Sequence, residues 1–121
     1  MYSYEVAGKE LIVKHGKDAM VVWKGKPEGY AVNTVLPIPG EDNCIVLCEY
    51  VDDSPVQFHN LFRLTPHGDI VWSAELPGVM GSDAYVHVEI TNNGLEANTW
   101  SGMRVRIDLR NGKVLESSYT K

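Results

Sequence analysis

The sequence has few cysteines, no long apolar run and no excess of basic residues. Its 121 residues include two cysteines, 11 lysines and arginines, and 16 aspartates and glutamates, which gives a formal charge of −5. Because binding to phosphate backbones needs clustered Lys and Arg, this balance argues against nucleic acid as a partner. No apolar run approaches the ~18 residues of a membrane-spanning helix, so we expect no membrane partner.

The two cysteines stand in one apolar run, Cys44-Ile45-Val46-Leu47-Cys48. In a strand, residues four apart lie on one face and roughly 13 Å apart, whereas a disulfide needs Cα atoms within about 7 Å. We therefore expect two small buried thiols rather than a disulfide or a C-x-x-C site. Residues 1–5 also lack the basic-then-apolar layout of a secretory signal, and these features together predict a cytoplasmic protein.

Helix signals are nearly absent as well. No window of about 11 residues or more places apolar side chains at the spacing of an amphipathic helix with caps. Short runs rich in Val, Ile, Tyr and Trp alternate instead with turns of Gly, Pro, Asn and Asp. They predict a single all-β domain over residues 1–121. The expected strands, about eleven, lie near 2–6, 10–15, 19–24, 30–36, 44–51, 57–64, 69–76, 84–91, 95–100, 103–109 and 113–119.

Two segments, 62–72 and 105–116, share one pattern. Each runs from an apolar strand through a short turn into a second strand, and the turn glycines are Gly68 and Gly112. In the first segment Trp72 follows the glycine by four residues. A period of about 40–45 residues built from four strands is typical of propeller blades. The two segments therefore predict a repeated, blade-like unit.

This pattern resembles the repeats of the quinoprotein-like (PQQ) β-propeller family, in which a strand ends in Asp and Trp follows the turn glycine by four residues. Thr65 replaces the Asp in the first segment, and Glu116 replaces the Trp in the second. The resemblance implies blade-like meanders and brings no catalytic residues with it. Propellers typically have 4–8 blades of four strands, so about eleven strands are too few to close one. We predict antiparallel meanders that form a sandwich or barrel, or an incomplete propeller-like stack.

The C-terminal strands predict a meander with one apolar and one polar face. Val86, Val88 and Ile90 share the apolar face. A two-residue turn at 93–94 and a three-residue loop at 101–103 keep the apolar residues of the next strands on that face. The opposite face then carries charges of both signs and two aromatic residues. It holds Tyr85, His87, Glu89, Glu96, Asn98, Trp100, Arg104, Arg106 and Asp108.

Trp and Tyr on a polar face are typical of protein interfaces, because these residues bury a large area at little entropic cost. The predicted binding residues on this face are Tyr85, His87, Glu89, Asn98, Trp100, Arg104 and Arg106. The alternative is a solvated sheet face with ordinary cross-strand ion pairs. An acidic loop is the second predicted site, since acidic groups complement a basic partner. It contains Glu49, Asp52 and Asp53.

The polar face also contains a possible acid–base or metal-ligand pair, His87 and Glu89. The sequence supplies no obvious third ligand, no nucleophile motif and no phosphate-binding glycine loop beside them. We therefore expect no metal and no cofactor, and a non-catalytic protein rather than an enzyme.

These features predict a module that binds another protein, and its acidic charge favours a basic partner. An inhibitor or immunity-type protein that neutralises such a partner is the most concrete form of this hypothesis. Two alternatives stay open. The face around His87 could serve a small-molecule-binding module or an enzyme, and open strand edges could make the chain a self-assembling subunit of a homo-oligomer.

Overall fold

The computed structural model describes residues 1–49, 57–78 and 82–119. In these ranges the alternating apolar runs form eleven strands, with one 3-10 turn at Pro27–Gly29, and the predicted all-β class is confirmed. No helix of the described residues has the length and apolarity to cross a membrane. The strands are β1 (Tyr2–Ala7), β2 (Glu10–His15), β3 (Met20–Gly25), β4 (Val32–Pro37), β5 (Cys44–Cys48), β6 (Leu61–Leu64), β7 (Ile70–Ser73), β8 (Tyr85–Thr91), β9 (Gly94–Thr99), β10 (Met103–Ile107) and β11 (Val114–Tyr119).

The strands form three antiparallel sheets in which neighbours in sequence are neighbours in space. The N-terminal sheet has the order β1-β2-β3, the central sheet β4-β5-β6-β7 and the C-terminal sheet β8-β9-β10-β11. Each sheet is a meander, as predicted. β1 packs beside β4, and β4 and β5 pack beside β8. The sheets therefore stack as layers, and the described strands do not close into a barrel.

The central strand β5 explains the apolar run around the cysteines, because both of its faces are covered. All of its residues are buried. Cys44, Val46 and Cys48 face a cluster shared with the N-terminal sheet, whereas Ile45 and Leu47 face a cluster shared with the C-terminal sheet. The prediction of two buried, unbridged thiols is confirmed. Burial raises the pKa of each thiol to about 12.

Tryptophan side chains of one sheet lie against glycine turns of the next. Trp23 of β3 covers Gly68 in the β6–β7 turn, and Trp72 of β7 covers Gly112 in the β10–β11 turn. A Cβ at Gly112 would lie 2.7 Å from Trp72 Cε3, so a larger residue would displace the ring. Trp72 Nε1 also donates a hydrogen bond to the Leu109 carbonyl at 2.8 Å. These contacts join the central sheet to both of its neighbours.

The turn between β8 and β9 lies one residue before its predicted position. Thr91 pairs with Gly94, so the turn predicted at 93–94 is wrong, and Asn92 and Asn93 form it instead. Gly94 follows with φ 102, a left-handed conformation that glycine adopts without strain. The pairing moves by two residues. Because side chains alternate with a period of two, such a shift by itself leaves each strand's faces unchanged.

The loop between β9 and β10 has the predicted three residues but begins one residue earlier. It comprises 100–102 rather than 101–103, and Arg104 pairs with Asn98 instead of Trp100. The pairing again moves by two residues, so the apolar side chains of β10 still face those of β9. Trp100 therefore belongs to the turn and not to a strand pair.

The prediction that Tyr85 lies on the polar face is wrong. Tyr85 is fully buried, whereas Val86 is 46% exposed. A bulge between Tyr85 and His87 adds one residue to β8, which reverses the inward and outward order before it. The buried side chain of Asn60 holds this geometry: it donates to the Tyr85 carbonyl at 2.8 Å and accepts from the Tyr85 N–H at 2.9 Å.

Candidate functional site

The outer surface of the C-terminal sheet carries the predicted polar face. The inner surface of this sheet packs on the central sheet, so the alternate side chains point away from the core. The strand pairing makes these outward positions one continuous surface across β8, β9 and β10. The predicted residues that it brings together are His87, Glu89, Glu96, Asn98, Arg104 and Arg106.

Arg104 lies at the centre of this face and contacts three neighbours. Its Nη1 donates to Asn98 Oδ1 at 2.7 Å, and its Nη2 donates to Glu89 Oε1. Its Nε lies 3.4 Å from Glu96 Oε1. The hydrogen bond from Arg104 holds the pKa of Glu89 below its ordinary value. The guanidinium therefore ties β8 and β9 to β10.

Other charges of the face are paired at longer distances. His87 Nε2 lies 4.0 Å from Glu89 Oε2, and Arg106 Nε lies 3.5 Å from Glu116 Oε1 on β11. Exposed pairs of this kind contribute little to stability, because water and salt screen them. The charges thus follow the pattern of a solvated, ion-paired face, and by themselves they do not mark a ligand site.

Trp100 begins the tight turn between β9 and β10, called here the Trp100 turn (Trp100, Ser101 and Gly102). The Trp100 residue is 58% exposed, although Trp is highly buried on average. The Trp100 N–H donates to the Ala84 carbonyl at 2.8 Å, and the Gly102 N–H donates to the Thr99 carbonyl at 3.1 Å. The indole is therefore presented to solvent from a hydrogen-bonded backbone.

A buried carboxylate supports the Trp100 turn. Asp83 is 6% exposed. Its Oδ1 accepts from the N–H groups of Ser101 and Ala84 at 3.1 and 3.0 Å, and its Oδ2 accepts from the Ser101 hydroxyl at 2.8 Å. The buried Thr99 hydroxyl lies 2.9 Å from Ser101 Oγ and accepts from the Met103 N–H at 3.0 Å. Because a buried carboxylate is costly unless it is hydrogen-bonded, this network holds the turn in one geometry.

Sequence reasoning did not identify Asp83, Thr99 or Ser101 as part of a site. Thr99 and Ser101 flank Trp100, and the hydroxyls of Ser and Thr often bond to nearby backbone groups. Their position beside Trp100 was therefore the one sequence feature that could have indicated an ordered turn. Asp83 belongs to a segment well before the turn, and no local pattern connects the two. The support of the turn is therefore a product of the tertiary structure.

Two more exposed apolar side chains lie at the same end of the C-terminal sheet. Val86 is next to Tyr85, on the part of β8 that pairs beside the Trp100 turn. Tyr119 of β11 pairs with Met103, the residue that follows the turn, and is 74% exposed. Tyr119 shares the face of Met103, which packs against the core, so the exposed group beside the polar face consists of Val86 and Trp100 and is called the apolar corner.

The second predicted site is the acidic loop, and Glu49 is the residue of this loop that the structure describes. Glu49 Oε1 lies 3.4 Å from Lys9 Nζ in an exposed ion pair. Its charge is thus partly balanced within the chain. Asp52 and Asp53 lie outside the described residues.

The polar groups of the C-terminal sheet lie on an open surface. The His87 and Glu89 side chains are 58% and 44% exposed on an open face. Across residues 1–49, 57–78 and 82–119, no three His, Cys, Asp or Glu side chains are grouped as a metal site requires. The surface offers aromatic and aliphatic area at the apolar corner, with charged hydrogen-bonding groups beside it.

The chain matches a known family model. The family model described as Domain of unknown function (DUF7957) matches residues 1–119. None of the curated proteins matches the chain. The matched range covers all three sheets, and so it includes the polar face and the apolar corner.

Proposed function

We propose that this chain, which belongs to the family described as Domain of unknown function (DUF7957), is a non-catalytic module that binds another protein. The observation that carries the proposal is the exposed Trp100 on a turn held by buried Asp83. The apolar corner is the proposed contact, and the polar face is its charged border.

An exposed Trp on an ordered turn suits recognition for energetic reasons. Trp is enriched among the residues that dominate binding energy, because it buries a large area when it enters a partner's pocket. A turn that is already ordered loses little conformational freedom on binding. Truncation of such a residue costs about 2 kcal/mol or more, which is at least roughly 30-fold in Kd.

The charged border has a different role. Beside the apolar corner, Arg104 donates a hydrogen bond to Glu89 and forms an ion pair with Glu96. Exposed charges at the rim of an interface influence the orientation and rate of association more than the affinity. The border therefore orients the partner, while Trp100 supplies most of the binding energy.

The partner is proposed to be basic. The net charge of −5 attracts a positively charged protein from beyond contact distance and accelerates association. An inhibitor or immunity-type role, in which the chain neutralises a basic protein, is the most concrete form of the proposal. We place this activity in the cytoplasm, where the two free thiols remain reduced. Glu49, with Asp52 and Asp53, is proposed as a secondary acidic contact.

Trp100→Ala tests the proposal, with Met20→Ala as control. Met20 is 68% exposed on β3, in the N-terminal sheet, and thus far from the apolar corner. Each form is immobilised at equal density and exposed to an extract of the cells that make the protein. We expect the unmodified chain and Met20→Ala to retain the same basic protein, and Trp100→Ala to retain at least ~30-fold less of it.

A second measurement separates the failure of the site from the failure of the function. Urea unfolding midpoints should agree among the three forms, because both substituted side chains are largely exposed. Equal retention by Trp100→Ala and the unmodified chain would overturn the assignment of the apolar corner. Retention of nothing above bare resin by the unmodified chain would overturn protein binding itself.

A further inference from the structure

A groove of about 430 Å³ lies between the 3-10 turn at Pro27–Gly29 and the central sheet. It shares no lining residue with the apolar corner, and none of the preceding argument uses it. Its lining includes Glu28, Tyr30, Gln57, Phe58, His59 and Ser73. Aromatic rings and hydrogen-bonding groups therefore meet in one concave surface.

Two aromatic rings form one wall of the groove. The ring centroids of Tyr30 and Phe58 are 4.7 Å apart with an interplanar angle of 79°, which is an edge-to-face arrangement. In this arrangement each ring keeps at least one face that the other does not cover. The Phe58 N–H donates to the Asp83 carbonyl at 2.8 Å, so the backbone beneath this wall is anchored.

The polar groups of the groove present acceptors. Glu28 brings a carboxylate from an exposed turn. The Gln57 Nε2 donates to the Gly78 carbonyl, which leaves Gln57 Oε1 as an acceptor. His59 Nδ1 lies 3.0 Å from the Ala74 carbonyl. Because a carbonyl only accepts, Nδ1 is the donor in this contact.

A guanidinium group matches this combination of π-faces and acceptors. It is flat, always positively charged, stacks on aromatic rings and carries five N–H donors with no acceptor. Glu28 adds an opposite charge, and its φ of 53 is uncommon for a residue other than glycine. Such backbone conformations cluster at ligand clamps. We propose that the groove between Tyr30, Phe58 and Glu28 binds a guanidinium group, either of an arginine side chain in a protein or of a free small molecule.

NMR titration of the ¹⁵N-labelled chain tests this site. The probes are Nα-acetyl-arginine methylamide, which represents an arginine within a polypeptide, free arginine, and the uncharged citrulline analogue of the blocked probe. We expect saturable shifts of the Tyr30, Phe58 and His59 amide signals, with a Kd on the order of millimolar. Stronger binding of the blocked probe assigns the groove to a protein's arginine, and stronger binding of free arginine assigns it to a small molecule.

Glu28→Gln is the variant, and Glu116→Gln is its matched control. Glu116 is an exposed carboxylate on β11, in the C-terminal sheet. We expect Glu28→Gln to weaken binding about fivefold and Glu116→Gln to leave it unchanged. Equal affinity for the citrulline analogue, an absence of saturable shifts with both arginine probes, or equal effects of the two variants would each overturn the proposal. These outcomes do not depend on the Trp100 turn.

Discussion

At the scale of the residue, burial determines the chemistry of Cys44 and Cys48. Each thiol has a pKa of about 12 in the folded chain against an ordinary value of 9.0, so both stay protonated and unreactive near neutral pH. We predict that iodoacetamide labels them only as fast as the chain unfolds. The free energy of unfolding should fall between about pH 9 and pH 12, because the unfolded chain loses protons that the folded chain keeps.

Labelling rates measured by mass spectrometry across a urea series test whether labelling requires unfolding. Urea denaturation at several pH values tests whether the free energy of unfolding falls as the pH rises. A fast labelling rate that does not change with urea would contradict the buried state of both thiols.

At the scale of the element, the stability of the stacked sheets depends on the contact between a tryptophan of one sheet and a turn of the next. Gly112→Ala places a methyl group against Trp72 and in a left-handed backbone, and we predict a loss of about 3 kcal/mol. Gly40→Ala is a matched control, because Gly40 has φ 79 but nothing lies within 4 Å of an added Cβ. Its predicted loss is about 1–2 kcal/mol, from backbone strain alone. Urea unfolding followed by circular dichroism measures both. Equal losses would show that the Trp72 contact carries no stability.

At the scale of the whole molecule, the outer faces of the stack indicate how the chain assembles. On the N-terminal sheet, Lys14 Nζ lies 2.7 Å from Glu5 Oε1, and Lys24 Nζ lies 3.7 Å from Glu10 Oε1. Val21, which pairs with Lys14, is the exposed apolar side chain between these ion pairs. The outer face of the C-terminal sheet is likewise ion-paired around Arg104. Polar outer faces are typical of the terminal units that cap a stack of repeats.

We therefore predict a monomer rather than a subunit that is completed by its own copies. Sedimentation equilibrium at rising concentrations checks this, and a dimer that grows with concentration would contradict it.

The strand pattern and most of the polar face were predictable from the sequence. Side chains alternate with a period of two whatever the partner, so a turn misplaced by one residue still left Arg104 and Glu89 on the same surface. The blade-like resemblance and the binding of a basic partner stay predictions. The groove beside Phe58 was not predictable, because its walls come from segments that are separated along the chain.

Local sequence was sufficient to predict the number and order of the strands, the approximate turns and the buried thiols, because alternation and turn chemistry act over a few residues. The ends of several strands differ, for example Leu61–Leu64 where 57–64 was expected. The inward position of Tyr85 and the outward position of Val86 required the tertiary structure. A buried Asn60 bonds to the Tyr85 backbone from another part of the chain and holds the bulge. The exposed position of Trp100 on an ordered turn also required the tertiary structure, because the carboxylate that holds the turn belongs to Asp83 on a separate segment. Both depend on hydrogen bonds between distant residues, which a local pattern does not contain.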